Sequence, residues 1–158
     1  MSQYQNSVEK TFEMTIGIAS DHAGAAYKTE IARYLARRGY GVVDFGTYQG
    51  EESVDYPDFA HSLADGIRNG VVEKGIAICG TGNGMAMTLN HHHGIIAGLA
   101  WNRAVARLVK AHNNANVLAL PARFITVATA KACVKEWLET EFEGGRHLRR
   151  LNKIEDLS

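Results

Sequence analysis

Short, nearly unbroken apolar runs alternate along the chain with segments whose apolar residues recur every three or four positions. The first run, Thr15-Ile16-Gly17-Ile18-Ala19-Ser20, closes on Asp21-His22-Ala23-Gly24, and beyond it Tyr27, Ile31, Tyr34 and Leu35 fall at helical spacing. That order predicts a strand, a tight turn and an amphipathic helix, with Gly39 as the stop signal of the helix. Tyr40 to Phe45 repeats the strand pattern, a polar loop leads to Tyr56-Pro57, and Phe59, Leu63 and Ile67 mark a second helix. Three further strands are predicted at Gly75 to Cys79, Gly94 to Ala100 and Asn116 to Leu120, with helix-like segments between them. Val127 to Phe142 reads as one long helix carrying Val127, Ala130, Val134, Trp137 and Leu138 on one side, broken by Gly144-Gly145 before a basic tail. Runs that are apolar throughout, rather than alternating, belong to strands covered on both faces. Five such strands alternating with helices predict an α/β fold: a three-layer αβα sandwich around a Rossmann-like five-stranded parallel sheet, with right-handed connections and a C-terminal helical tail.

A length of 158 residues suits a single domain, taken here as 14–158 behind an N-terminal extension, 1–13. No internal repeat, low-complexity tract or linker divides it. Hydrophobic residues at 46% and charged residues at 22% exclude disorder of the chain as a whole. The 17 basic and 17 acidic side chains balance, so no net field draws in nucleic acid or an anionic membrane. Cys79 and Cys133 stand far apart with no C-x-x-C, which suggests neither a disulfide framework nor a zinc site and fits a reducing cytoplasm. No apolar run approaches the roughly 18 residues of a membrane span, so neither insertion nor secretion is expected.

In an open parallel sheet, ligands bind beyond the carboxyl ends of the strands. After the first predicted strand a carboxylate and an imidazole stand together, Asp21-His22, although Asp21 also suits a helix cap. After the third comes Cys79-Gly80-Thr81-Gly82-Asn83-Gly84, whose alternate glycines let backbone amides turn inward as an anion nest at a helix start. Met85 replaces the third glycine of G-x-G-x-x-G and no G-K-[ST] follows, which disfavours a dinucleotide site or a P-loop. Cys79 opens the nest, where a helix N-terminus and nearby cations favour a thiolate able to act as base or nucleophile; the competing reading is an inert small hydrophobe, the one taken for Cys133. His112-Asn113-Asn114 precedes the fifth strand, and His112 suits either a helix C-terminus or a site. Arg146 and Arg150, at i and i+4, present two guanidinium forks to a phosphate or else a solvated basic face, and Arg123 is placed to join them. His91-His92-His93 is read as a polar helix end and not as a metal site, because consecutive helical residues diverge by about 100°.

Taken in order, Ser20-Asp21-His22-Ala23-Gly24, Asp55-Tyr56-Pro57, Cys79-Gly80-Thr81-Gly82-Asn83-Gly84, His112-Asn113-Asn114-Ala115-Asn116 and Glu143-Gly144-Gly145-Arg146-His147 resemble the ribose-5-phosphate isomerase B family, which includes the galactose-6-phosphate isomerase subunits. The resemblance covers about residues 14 to 155. It implies a cofactor-free, metal-free aldose–ketose isomerase of the pentose phosphate pathway, a homodimer or homotetramer with active sites at the subunit interface. It further implies Cys79 as the base between C1 and C2, His112 in ring opening and Asp21 at the sugar, with His22, Arg123, Arg146 and Arg150 on the phosphate. Tyr56, Asn113 and Gly80, Thr81, Gly82, Asn83 and Gly84 are implied to line the pocket. Some members use a Glu just after the loop; Met85 marks this chain as the cysteine type. Where many members carry a Lys followed five positions later by an Arg, this chain has His91 and Ile96, and Asn114 stands where Asp is common.

The chemistry agrees with the resemblance. A proton α to a carbonyl leaves only if the enediolate oxygen is stabilised as charge develops, which the amides of the glycine loop and the Thr81 hydroxyl are placed to do. The expected activity is interconversion of ribose 5-phosphate and ribulose 5-phosphate. The alternatives are another aldose phosphate, namely erythrose 4-phosphate, allose 6-phosphate or galactose 6-phosphate, or a non-catalytic phosphosugar-binding module. A flavodoxin-like electron carrier fits the fold alone but lacks the phosphate loop it needs after the first strand.

Overall fold

The computed structural model describes residues 14–48, 50 and 52–155; the predicted extension, 1–13, lies outside them. Five parallel strands form one sheet: β1 (Thr15–Ser20), β2 (Gly41–Asp44), β3 (Lys74–Cys79), β4 (Ala97–Leu99) and β5 (Val117–Pro121), in the spatial order β2-β1-β3-β5-β4. Six α-helices connect and follow them: α1 (Ala25–Arg37), α2 (Tyr56–Arg68), α3 (Asn83–Asn90), α4 (Arg103–Ala111), α5 (Val127–Glu139) and α6 (Arg146–Glu155). Local chemistry sets several of their ends. The Asn102 carboxamide accepts from Val105 N and opens α4, the Thr126 hydroxyl accepts from Thr129 N and opens α5, and Gly39, at φ +90°, lets the chain turn away after α1.

Two apolar layers follow from the pleat. Ile16, Ile18, Ile76, Ile78, Leu118 and Leu120 face one side, where Ile31 and Leu35 of α1, Val109 of α4 and Val134 and Trp137 of α5 cover them. Ala19, Ala77, Cys79 and Val117 face the other, under Leu63 of α2 and Met85 and Leu89 of α3. Small residues on that face let α2 and α3 approach closely. Gly24 is held tighter still: a Cβ there would stand 2.6 Å from the Ile78 carbonyl oxygen, so the turn leaving β1 presses directly on the end of β3. Among the described residues no helix is long and apolar enough to cross a membrane.

Two predicted boundaries move. The strand expected over Gly94 to Ala100 is regular only at Ala97–Leu99, because Gly94 at φ +81° and the Ile95 N–H to His92 carbonyl turn occupy its start. A side chain caps its outer edge at Ala97: Asn90 Nδ2 donates to the Ala97 carbonyl at 2.9 Å while Asn90 Oδ1 accepts from Ala97 N at 2.8 Å. The helix expected to run to Phe142 stops at Glu139, where Thr140 turns extended and its hydroxyl donates to the Glu136 carbonyl at 2.6 Å. The chain then crosses to α4, with Glu143 N donating to the Ala111 carbonyl at 3.0 Å.

At the amino ends of the strands, burial and the Lys74 ammonium beside it lower Lys110 from the ordinary 10.5 to about 8. Unfolded chain keeps that proton up to 10.5, so between 8 and 10.5 it binds more protons than the native state, and stability rises with pH across the window. The penalty is fully present below 8. Lys110→Met is therefore expected to raise the Tm by a few degrees at pH 7 and by little near pH 10.5. Thermal melts at the two pH values check this, and a lower Tm for the variant at pH 7 would contradict it.

Candidate functional site

Two groups of the predicted residues assemble, at opposite ends of the sheet. The first lies beyond the carboxyl ends of the strands. Asp21 Oδ1 accepts from Ala23 N at 2.9 Å and from Gly24 N at 3.2 Å, so this buried carboxylate does cap the 3₁₀ turn His22–Gly24. His22 Nδ1 accepts from Val54 N at 3.1 Å. That bond puts the proton on Nε2, which is left as a donor, and it pins the loop before α2 to the end of β1. Asp21, His22, Val54, Asp55, Tyr56, Pro57 and Asp58 line a cleft of about 510 Å³.

The glycine loop stands beside this cleft. Gly82 begins α3 at φ +76°, the left-handed region that glycine enters without strain, and Thr81 Oγ1 accepts from Asn83 N at 3.2 Å. Gly84 has no room for a side chain because the Tyr56 ring would lie 2.7 Å from a Cβ, so the loop and the cleft wall are in contact. The Arg123 guanidinium covers Gly80 in the same way, with Nη1 3.3 Å from where a Cβ would be, and Arg123 N donates to the Gly80 carbonyl at 3.0 Å. Cys79, at the root of the loop and 4% exposed, packs in the layer with Ala19 and Met85; its carbonyl accepts from Ala122 N at 2.9 Å. Asp21, His22, Tyr56, Cys79, Gly80, Thr81, Gly82, Asn83, Gly84 and Arg123 thus form one group.

His112, Asn113, Arg146 and Arg150 form the other. His112 caps the carboxyl end of α4, five residues ahead of β5. Because β3 and β5 run parallel with Gly75 opposite Val117 and Cys79 opposite Pro121, His112 lies at the amino end of a sheet whose carboxyl end carries Cys79. Four residues of strand, about 13 Å, separate those ends. One chain therefore does not bring His112 to Cys79. Around His112 the tail folds back: its ring stacks on His147 with centroids 4.2 Å apart and planes 12° from parallel. Glu143 Oε2 lies 3.7 Å from His112 Nε2 and 3.4 Å from His147 Nε2. Loss of hydration, then the neighbouring His112 and Arg146, hold the His147 imidazole below its ordinary range. Arg146 and Arg150 open α6 one turn apart, exposed, beside this cluster.

Glu143 and His147 were within a motif visible in the sequence but carried no assigned role, since nothing local links them to a histidine some thirty residues earlier. Of the histidine tract, His91 ends α3, and His92 Nε2 meets His61 Nδ1 of α2 at 2.7 Å. Lys28 is another buried charge that periodicity did not flag; its ammonium is held by both Asp44 oxygens, at 2.6 Å for Oδ2.

Comparison with known proteins covers nearly the whole described chain. The family described as Ribose/Galactose Isomerase matches residues 16–154. A solved structure of Clostridium thermocellum ribose-5-phosphate isomerase B superposes with a TM-score of 0.89 at 46% identity, covering 91% of this chain and 97% of that one. Ribose-5-phosphate isomerase B from Mycoplasma genitalium, solved with bound ribulose-5-phosphate, gives 0.86 at 41% identity over 91% and 95% of the two chains. D-erythrulose-4-phosphate isomerase from Pectobacterium atrosepticum is 38% identical over 141 residues, 89% of this chain and 93% of that protein.

Proposed function

Because the chain belongs to the ribose/galactose isomerase family, we propose that it interconverts ribose 5-phosphate and ribulose 5-phosphate through an enediolate, in the cytoplasmic pentose phosphate pathway. The observation that carries the reading is the glycine loop rooted at Cys79, packed between the Asp21-His22-Tyr56 cleft and Arg123. In this reaction His112 moves a proton from the anomeric hydroxyl to the ring oxygen and opens the sugar. The Cys79 thiolate takes the proton from C2, the electron pair becomes the C1–C2 double bond, and negative charge collects on O1. The amides of Gly80 to Gly84 and the Thr81 hydroxyl stabilise that charge. The Cys79 thiol then returns its proton to C1, while Asp21 or Thr81 carries a proton from O2 to O1. No oxidant and no cofactor enters the balance.

Phosphate binding supplies the energy that fixes the sugar against the base. His22 and Arg123 face it from the cleft, and Arg146 and Arg150 grip it from the other group. Asn83 and Asn113 complete the pocket. Since the two groups sit at opposite ends of one chain, a complete site needs a second copy that lends its His112, Asn113 and α6 to the first copy's cleft. That supports a homodimer, or a tetramer of two such pairs, with equivalent sites at a two-fold interface.

A second substrate has support: a relative with 38% identity is named for a four-carbon sugar phosphate, and this chain has His91 and Ile96 in place of a Lys and Arg common in the family. Measuring kcat/KM over ribose 5-phosphate, erythrose 4-phosphate, allose 6-phosphate and galactose 6-phosphate, with no metal added, separates these. Ribose 5-phosphate is expected to lead by about tenfold or more, the discrimination that one carbon unit allows in a shaped pocket. A lead by another sugar transfers the assignment to it, and no ketose from any of them leaves a binding module.

A further inference from the structure

We propose that His112, Glu143 and His147 form a site for a divalent transition-metal ion such as Zn²⁺, and that filling it holds His112 away from the sugar. The inhibitory half rests on the isomerase reading above; the binding half does not.

The donor atoms are already gathered. One ring nitrogen of His112, one of His147 and one Glu143 oxygen all lie within 4.8 Å of one another, and among the described residues these are the three metal-ligating side chains so grouped. Zinc bonds nitrogen and oxygen at about 2.0–2.2 Å, so tetrahedral ligands stand about 3.3–3.5 Å apart. His147 Nε2 and Glu143 Oε2 meet that spacing at 3.4 Å, and His112 Nε2 is a few tenths of an ångström wide at 3.7 Å. The two histidine nitrogens stand within 4.8 Å of each other on rings whose planes are 12° from parallel, so binding asks both rings to rotate until their lone pairs converge on one point. Two imidazoles and one carboxylate are a set that zinc accepts while keeping a fourth position for water.

The backbone holds these donors where they are. Gly144 and Gly145 both take positive φ, +70° and +56°, and fold Glu143 back over the first turn of α6. Glu143 N is tied to Ala111, the residue before His112, and His147 is buried at 8% exposure, with its N–H donating to the Gly144 carbonyl. Two neighbouring charges limit the affinity. Arg146 and Arg150 stand close enough to His147 to act on it electrostatically, and they oppose a second cation. The Glu143 charge offsets only part of that, so binding in the micromolar range is expected, far weaker than a structural zinc. Imidazole donors favour Zn²⁺, Co²⁺ and Cu²⁺ over Mg²⁺ and Ca²⁺.

The test is calorimetric titration of the metal-stripped full chain with zinc chloride, alongside cobalt absorption spectra. One zinc per chain is expected, weakened about tenfold or more by Glu143→Gln and by His147→Gln and unchanged by His61→Ala, which removes the other close histidine pair. The cobalt spectrum should lack thiolate charge-transfer bands. In turnover of ribose 5-phosphate, zinc should inhibit the wild-type chain at the concentrations that fill the site, and a chelator should reverse it. No zinc uptake, uptake surviving in both variants, loss in His61→Ala or a thiolate band would overturn the site. Uptake with the expected variant pattern but no turnover of any sugar phosphate keeps the site and removes the isomerase reading. Uptake without inhibition overturns the inhibitory half.

Discussion

Cys79→Ala should lower kcat by about 10³-fold or more, within the 10²–10⁴ that a positioned base contributes, while the chain folds and melts nearly as before. The side chain lost is one sulfur at a strand end, 4% exposed, with Ala19 and Met85 around it, so the stability cost is about 1 kcal/mol. A coupled assay for ketose formation and a thermal melt give the two readings. Cys133 supplies the contrast within the same protein. It lies fully buried among Ala130, Val134 and Trp137, and burial pushes its thiol up to about 11, so it stays protonated at neutral pH. Cys133→Ala should leave kcat within about twofold and lower the Tm instead, as a core deletion does. Near-normal turnover by Cys79→Ala would take the base role from that sulfur.

Mixing two dead variants should restore activity. If two copies share each site as proposed, Cys79→Ala spoils one half of every site and His112→Ala the other. In a random mixture about half of the dimers are heterodimers, and each of those holds one site with both halves intact, so about a quarter of the wild-type activity should return after subunit exchange. Starting from variants reduced about 10³-fold, that is a rise of some two hundredfold. A mixture no more active than its components would place both residues in one chain's site, in conflict with the parallel register that sets them at opposite ends of the sheet.

Much of this was legible in the chain because the signals were local. Continuous apolar runs marked five strands, and the residues just after β1 and β3 were the ones to inspect, since an open parallel sheet binds ligands there. The loop Cys79 to Gly84 could be located directly as a strand-to-helix junction, and there Gly82 takes positive φ while Tyr56 and Arg123 press on Gly84 and Gly80. What sequence could not supply was which distant residues gather around each motif. His112 was read as either a helix end or a site residue, and it is a helix end by position; its stacking on His147 depends on a tail folded back across α4. Likewise the early stop of α5 at Glu139 reflects the tether from Glu143 to Ala111, a contact that helical periodicity in 127–142 has no means of registering. Edge effects were also hidden: the apolar run before Ala100 looks like any interior strand, yet β4 is flanked by a strand on one side only.

That flank has a wider consequence. With the outward N–H and C=O of Ala97 both taken by the Asn90 carboxamide, the first outward rung of β4 is closed to another polypeptide. A single amide side chain in this way stands in for a neighbouring strand at the point where the sheet would otherwise invite one.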